Sequence, residues 1–162
     1  MQPWVILQLL ILLLLANGTP VIVKRLWGHR FSYPLDGGVR FFDGQAIFGP
    51  SKTIRGILSS ILVTTLSAPL IGLEWQGGAA IGGGAMAGDL LSSFVKRRLR
   101  FPPSSRATGL DQVPESLLPL LVCRWMMPVT FTDIFIAVAL FFVGEIFLSR
   151  VLYRLRLRSR PY

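Results

Sequence analysis

Five apolar runs, each long enough or nearly long enough to cross a lipid bilayer, limit what this 162-residue chain can fold into more than any motif does. A helix rises ~1.5 Å per residue, so about 20 residues cross the hydrocarbon core. The runs cover residues 4–23, 56–73, 77–95, 116–131 and 134–150. The first contains the unbroken stretch Leu9 to Leu15, the third is rich in glycine, and the short fourth carries Pro119 and Pro128. With 52% hydrophobic and 15% charged residues, the composition excludes a disordered chain and departs from an ordinary soluble domain. One cysteine, Cys123, and one histidine, His29, exclude a disulfide framework and any multi-cysteine or two-histidine metal site. The expected fold is an all-α polytopic membrane protein: a single membrane domain, 1–162, with five transmembrane helices.

The basic residues set the orientation. They cluster in the segment 24–55, in the segment 96–115 and in the tail 151–162, whereas the N-terminus and the turns near 73–77 and 131–134 hold no Lys or Arg. By the positive-inside rule the two loops and the tail are cytosolic, the N-terminus faces out and the C-terminus in. A cleaved signal peptide fits poorly, because the first run lacks a basic n-region. The net charge of +9 is juxtamembrane, which points to anionic lipid headgroups as partners and not to nucleic acid. The tail RLRLRSR reads as a lipid-surface anchor.

Polar groups inside spans are costly and mark function or pairing. Asn17, Asp89, Arg124 and Glu145 all fall in the cytosolic half of their spans, so a polar pocket open to the cytosol is expected. Pro20 leaves the Ala16 carbonyl without its usual helical partner. At 100° per residue, Asp89, Ser92, Ser93, Lys96 and Arg100 share one face, leading from a buried carboxylate to a basic mouth. An acid that holds a metal beside cations that hold phosphates suits nucleotide chemistry. Equally, Asp89 could pair with Lys96 or Arg124 merely to satisfy its charge. Arg124 and Glu145 read as a structural ion pair between spans four and five.

The loop 24–55 is too long for a connector. Its Asp-Gly pairs mark tight turns, and Val39–Phe42 reads as a short strand of a small hairpin. Lys52, Thr53 and Arg55 stand at the start of the second span, where backbone N–H groups and the positive helix end attract anions. That combination suits a polyphosphate.

ANGTP at 16–20, PLDGG at 34–38, DGQAIFGPSKTIRG at 43–56, GDLLSSFVKRRL at 88–99 and LDQ at 110–112 together resemble the CDP-archaeol synthase family. Its members are small five-span cytidylyltransferases, similar in part to CDP-diglyceride synthetases. The resemblance runs from about residue 16 to 120. It implies transfer of CMP from CTP to a membrane lipid phosphate, with release of pyrophosphate and a need for Mg²⁺. On that pattern Asp89 and Asp111 would hold Mg²⁺. Lys52, Arg55, Lys96 and Arg97 would hold phosphates, with Ser93 on the same face. Asp43, Gly44 and Thr53 would shape the nucleotide pocket, and Asn17 would border it. The lipid phosphate is already an anion, so no protein base is needed. Where the family carries a second acid soon after its Asp-Gln pair, this chain has Pro114, and the side chain of the next residue, Glu115, is expected to point elsewhere on a helix.

The pattern of the CDP-alcohol phosphotransferases is absent, since Asp43-Gly44 is followed by Gln-Ala-Ile-Phe. The remaining alternatives are a membrane scaffold and a small transporter. A transporter needs polar groups in both halves of the membrane, and here they gather in one.

Overall fold

The computed structural model describes residues 1–28, 30–105 and 107–154, without the side chains of 148–154. Arg106 and the arginines of the basic tail lie outside what is described, and with them the lipid-anchor reading of that tail.

Among the described residues five α-helices form: α1 (Pro3–Trp27), α2 (Ile54–Ser67), α3 (Trp75–Arg98), α4 (Gln112–Cys123) and α5 (Phe131–Arg154). A 3-10 turn, Pro69–Ile71, extends α2. By length and composition α1 and the stretch Ile54–Ile71 are long and apolar enough to cross a membrane, with mean hydropathies of 2.3 and 1.6. The fourth helix corrects the expected span. It begins at Gln112 and ends at Cys123, where turns through Met127 and then Pro128 prevent continuation. Its 12 residues reach only about 18 Å.

α3 is the central helix, packed against α1, α2 and α4, while α5 closes the bundle against α1 and α4. Glycines at i, i+4 spacing make this possible on two sides. A Cβ on Gly78 or Gly82 would strike Thr64 of α2, and one on Gly84 would come 2.6 Å from the Pro119 Cα of α4. Small residues thus let backbones approach where side chains would hold them apart. Around them Leu9, Leu12, Leu13, Ile81, Leu120 and Phe141 form the buried core. Leu58, Leu62, Leu66, Phe135 and Val143 point outward, as on a lipid-facing surface.

Polar side chains fasten the helices where backbone bonds are lost. The Ala16 carbonyl freed by Pro20 accepts a hydrogen bond from the Ser60 hydroxyl of α2 at 2.8 Å, with both residues fully buried. The α1–α2 crossing is tight here, since a Cβ on Gly56 would lie 3.4 Å from the Pro20 Cβ. At the opposite end Asp133 and Thr130 cap α5 reciprocally, and the free Asp133 oxygen accepts the Gln2 N–H at 3.0 Å.

The expected hairpin strand does not form. Arg40 and Ala46 make one isolated antiparallel bridge around a tight turn, and Pro34 and Thr53 make another. Two glycines and Pro34 within 34–38 leave too few consecutive ladder bonds for a strand.

Candidate active site

α1 and α3 end, and α2 and α4 begin, at the same end of the bundle. They enclose a cavity of about 480 Å³, within the ~300–1,000 Å³ of small-molecule sites. Each helix contributes through its periodicity. From α1 come Asn17, Pro20, Val21 and Lys24, spaced i, i+3, i+4, i+7 on one face. From α3 come Met86, Asp89, Ser93, Lys96 and Arg97; from α4, Glu115, with Asp111 just ahead of the first turn; from α5, Glu145. Asp89 and Asp111 therefore face one space, which the expected metal site requires.

The acids meet lysines from distant parts of the chain. The Lys52 ammonium lies 2.5 Å from both Asp89 oxygens, and Lys96 lies 2.7 Å from one Asp111 oxygen. Asp89 thus pairs with Lys52 across the cavity, and neither Lys96 nor Arg124 is its partner. Lys96 also donates to the Ser105 carbonyl, and the second Asp111 oxygen accepts the Ala107 N–H at 2.9 Å. Arg97 donates one nitrogen to the Pro102 carbonyl, while its buried Nε has no hydrogen-bond partner among the described residues. Such an arginine retains capacity for an anion.

A second cavity of about 380 Å³ adjoins the first and shares Lys24, Lys52 and Asp89 with it. Thr53 and Arg55 line this one, and their polar groups are engaged except for the buried Arg55 Nε, which has no hydrogen-bond partner among the described residues. The Thr53 hydroxyl caps α2 by accepting the Gly56 N–H at 3.2 Å, and Arg55 donates to the Gly28 and Arg30 carbonyls. Asp43 and Gly44 line neither cavity. Asp43 sits 3.0 Å from the Arg98 guanidinium, which also stacks on Phe41 and Phe94, so this corner clamps the loop to α3.

Three further expectations change. Ser92 is buried and bonds the Asp89 carbonyl, away from the cavity. Arg100 lies beyond the end of α3 with a left-handed φ of 59°, so the basic stripe stops at Arg97. Arg124 caps the far end of α4 and stacks on Phe131, 3.7 Å from its ring centre. Glu145, fourteen residues along α5, is roughly 21 Å away, so the expected Arg124–Glu145 pair is not made.

Lys24 and Glu115 join the site without having been expected in it, and Glu145, one of the residues from which the polar pocket was expected, does line it. Lys24 is detectable from sequence, lying seven residues from Asn17 and thus on its face. Glu115 is detectable too: at i+4 from Asp111 it projects on the same side as an acid at i+3 would, and it lines the cavity only 8% exposed.

Asp36 holds the loop that delivers Lys52. Its carboxylate accepts N–H groups of Gly38, Phe48 and Gly49, the last at 2.8 Å, and Leu35 N–H bonds the Lys52 carbonyl. Burial pushes the Asp36 carboxyl upward, but the Gly49, Phe48 and Gly38 amides outweigh it and hold the group below its usual 3.8. Its contribution to stability is therefore full above that value and disappears as pH falls through the lowered one. Asp36→Asn is expected to weaken loop closure by about 1.5–3 kcal/mol, read as faster hydrogen exchange at Phe48 and Gly49. Unchanged exchange there would refute the anchoring role.

Do these residues fit Mg²⁺? Among the described residues no three acids are arranged to hold an ion alone. Magnesium commonly takes one or two carboxylates plus phosphate oxygens, so the oxygen donors present suit it once phosphate is bound.

Residues 76–162 match the family model described as CarS-like, CDP-archaeol synthase. A CDP-archaeol synthase of Pyrobaculum calidifontis is 35% identical over 152 residues, covering 91% of this chain and 90% of the relative. One of Pyrococcus furiosus is 41% identical over 107 residues, 60% of either chain. A solved structure of an intramembrane enzyme for archaeal membrane lipids biosynthesis superposes with a TM-score of 0.75 at 30% identity, covering 85% of this chain and 88% of the other. The chain is a membrane protein, and it belongs to the CDP-archaeol synthase family.

Proposed function

We propose that this protein transfers CMP from CTP to the phosphate of an archaeol-type membrane lipid, giving the CDP-lipid and pyrophosphate with Mg²⁺ as cofactor. One observation carries the reading: acids and bases from four helices and the long loop line a single cavity at one end of an apolar bundle. The basic residues Lys24, Arg25 and Lys96–Arg98 close α1 and α3 at that same end, so by the positive-inside rule it faces the cytosol, where CTP is found.

A lipid phosphate oxygen attacks the α-phosphorus of CTP, forming one P–O bond as the bond to the bridging α–β oxygen breaks and pyrophosphate departs. The attacking oxygen is an anion, so the chain supplies no base. Its task is alignment and charge stabilisation. Lys52, Lys96 and Arg97 bind phosphate oxygens, and Asn17 and Ser93 border the nucleotide. When bound, Mg²⁺ would neutralise phosphate charge, held by carboxylates here, with Asp89 and Asp111 the pair expected from sequence. Phosphates entering between Lys52 and Asp89 exchange one anionic partner of the lysine for another, which frees the carboxylate. The second cavity meets the first at that pair and is bordered by Ile57, Met86 and Leu90, which suits an acceptor approaching from the lipid. Leu- and Phe-rich helix surfaces accept archaeol and diacylglycerol chains alike.

The test is CTP turnover by purified protein with the archaeal ether-lipid phosphate and phosphatidate as acceptors. Expected is Mg²⁺-dependent, equimolar formation of CDP-lipid and pyrophosphate. No nucleotide consumption with either acceptor would sink the proposal.

A further inference from the structure

Glu115 is buried, lines the cavity and takes part in none of the Lys52–Asp89, Lys96–Asp111 or Arg98–Asp43 ion pairs. Its carboxyl instead faces that of Asp89 within hydrogen-bonding reach. This meeting is built into the backbone. Gly88, beside Asp89, brings α3 so close to α4 that a Cβ there would lie 2.7 Å from the Glu115 nitrogen and collide with the Pro114 carbonyl. The first turn of α4 is thereby pressed onto α3 at the level of Asp89. A buried carboxylate held against a half-buried one is relieved by a proton or a cation between them. Asp111, by contrast, already has one oxygen on Lys96 and the other on the Ala107 N–H.

We infer that Glu115 is a ligand, with Asp89, of the divalent cation at this site. The inference rests on the proposed cytidylyl transfer only for the identity of the ion. Two acids from crossing helices present oxygens to one side of it, and since no three acids among the described residues are arranged to hold an ion, the other positions fall to phosphate oxygens.

Mn²⁺ binding to the purified protein, followed by EPR with inorganic phosphate present but without nucleotide or lipid, tests this apart from turnover. Glu115→Gln is expected to weaken Mn²⁺ binding at least about tenfold, with Glu74→Gln, exposed at the other end, unchanged. Metal-free melting of Glu115→Gln should not fall, because the change removes a like-charge contact. Glu115→Cys gives a second reading: a thiolate is a soft ligand, so this variant should bind Cd²⁺ more tightly than Glu115→Gln does. Equal Mn²⁺ affinity in Glu115→Gln and wild type would overturn the inference, as would no Mn²⁺ binding by the wild type or no Cd²⁺ gain in the cysteine variant. A wild type that binds Mn²⁺ through Glu115 but does not consume CTP would keep this site and reject the proposed reaction.

Discussion

Asp89→Asn is expected to lower CMP transfer by about 10³-fold or more while leaving the bundle folded. The size follows from what this carboxylate touches. Losing one preorganised electrostatic group costs about 10²–10³ in catalysis, and Asp89 is central to two sets of charges at once. It takes both of its oxygens to Lys52 at 2.5 Å, and it meets Glu115 across the α3–α4 crossing. Asparagine keeps the shape but offers one oxygen and no charge, so Lys52 loses its resting position and the cation its shared ligand. Asp111→Asn should behave differently. One Asp111 oxygen secures Lys96 and the other the Ala107 N–H, so its loss should loosen the 99–111 loop as well as slow turnover. CTP turnover set beside thermal melting in detergent separates the two. Asp89→Asn activity within tenfold of wild type, at unchanged melting temperature, would remove Asp89 from the chemistry.

Much of this site is legible in the amino-acid sequence, and the reason is periodic. Asp89, Ser93 and Lys96 repeat at i, i+4, i+7 within one long helix, so a helical wheel places them together wherever that helix sits. The freed Ala16 carbonyl likewise follows from Pro20, although its partner, Ser60, lies 44 residues away and has no local signal. Sequence patterns mislead where one element stops or where two elements meet. Arg100 belongs to the Asp89 face only if α3 continues, and it ends at Arg98. A fourth span beginning at 116 would put Arg124 beside the site; starting α4 four residues earlier carries Arg124 to the other end of the helix. The Lys52–Asp89 pair depends on a loop whose path is set by Asp36, a residue that reads locally as nothing more than a turn former.

Gly88→Ala against Gly83→Ala puts the α3–α4 crossing to the sharpest test, because the two glycines lie five residues apart on one helix and face different surroundings. A Cβ on Gly83 would meet nothing within 4 Å. Alanine there gains helix propensity, so stability should stay level or rise by about 0.5–1 kcal/mol, with turnover unchanged. A Cβ on Gly88 would come 2.5 Å from the Pro114 carbonyl carbon and 2.7 Å from the Glu115 nitrogen. These are backbone atoms, which no rotamer change can move aside, so the whole first turn of α4 must retreat. Overpacking of this kind costs about 1–3 kcal/mol. Activity should fall as well. The displaced turn carries Glu115 and follows directly on Asp111, and a misplacement of about 1 Å costs on the order of 10² in rate. Gly88→Ala is therefore expected to lower kcat by about two orders of magnitude, with weaker Mn²⁺ binding and a modest fall in melting temperature. Wild-type turnover in Gly88→Ala would mean that α4 does not need this close approach to place its acids.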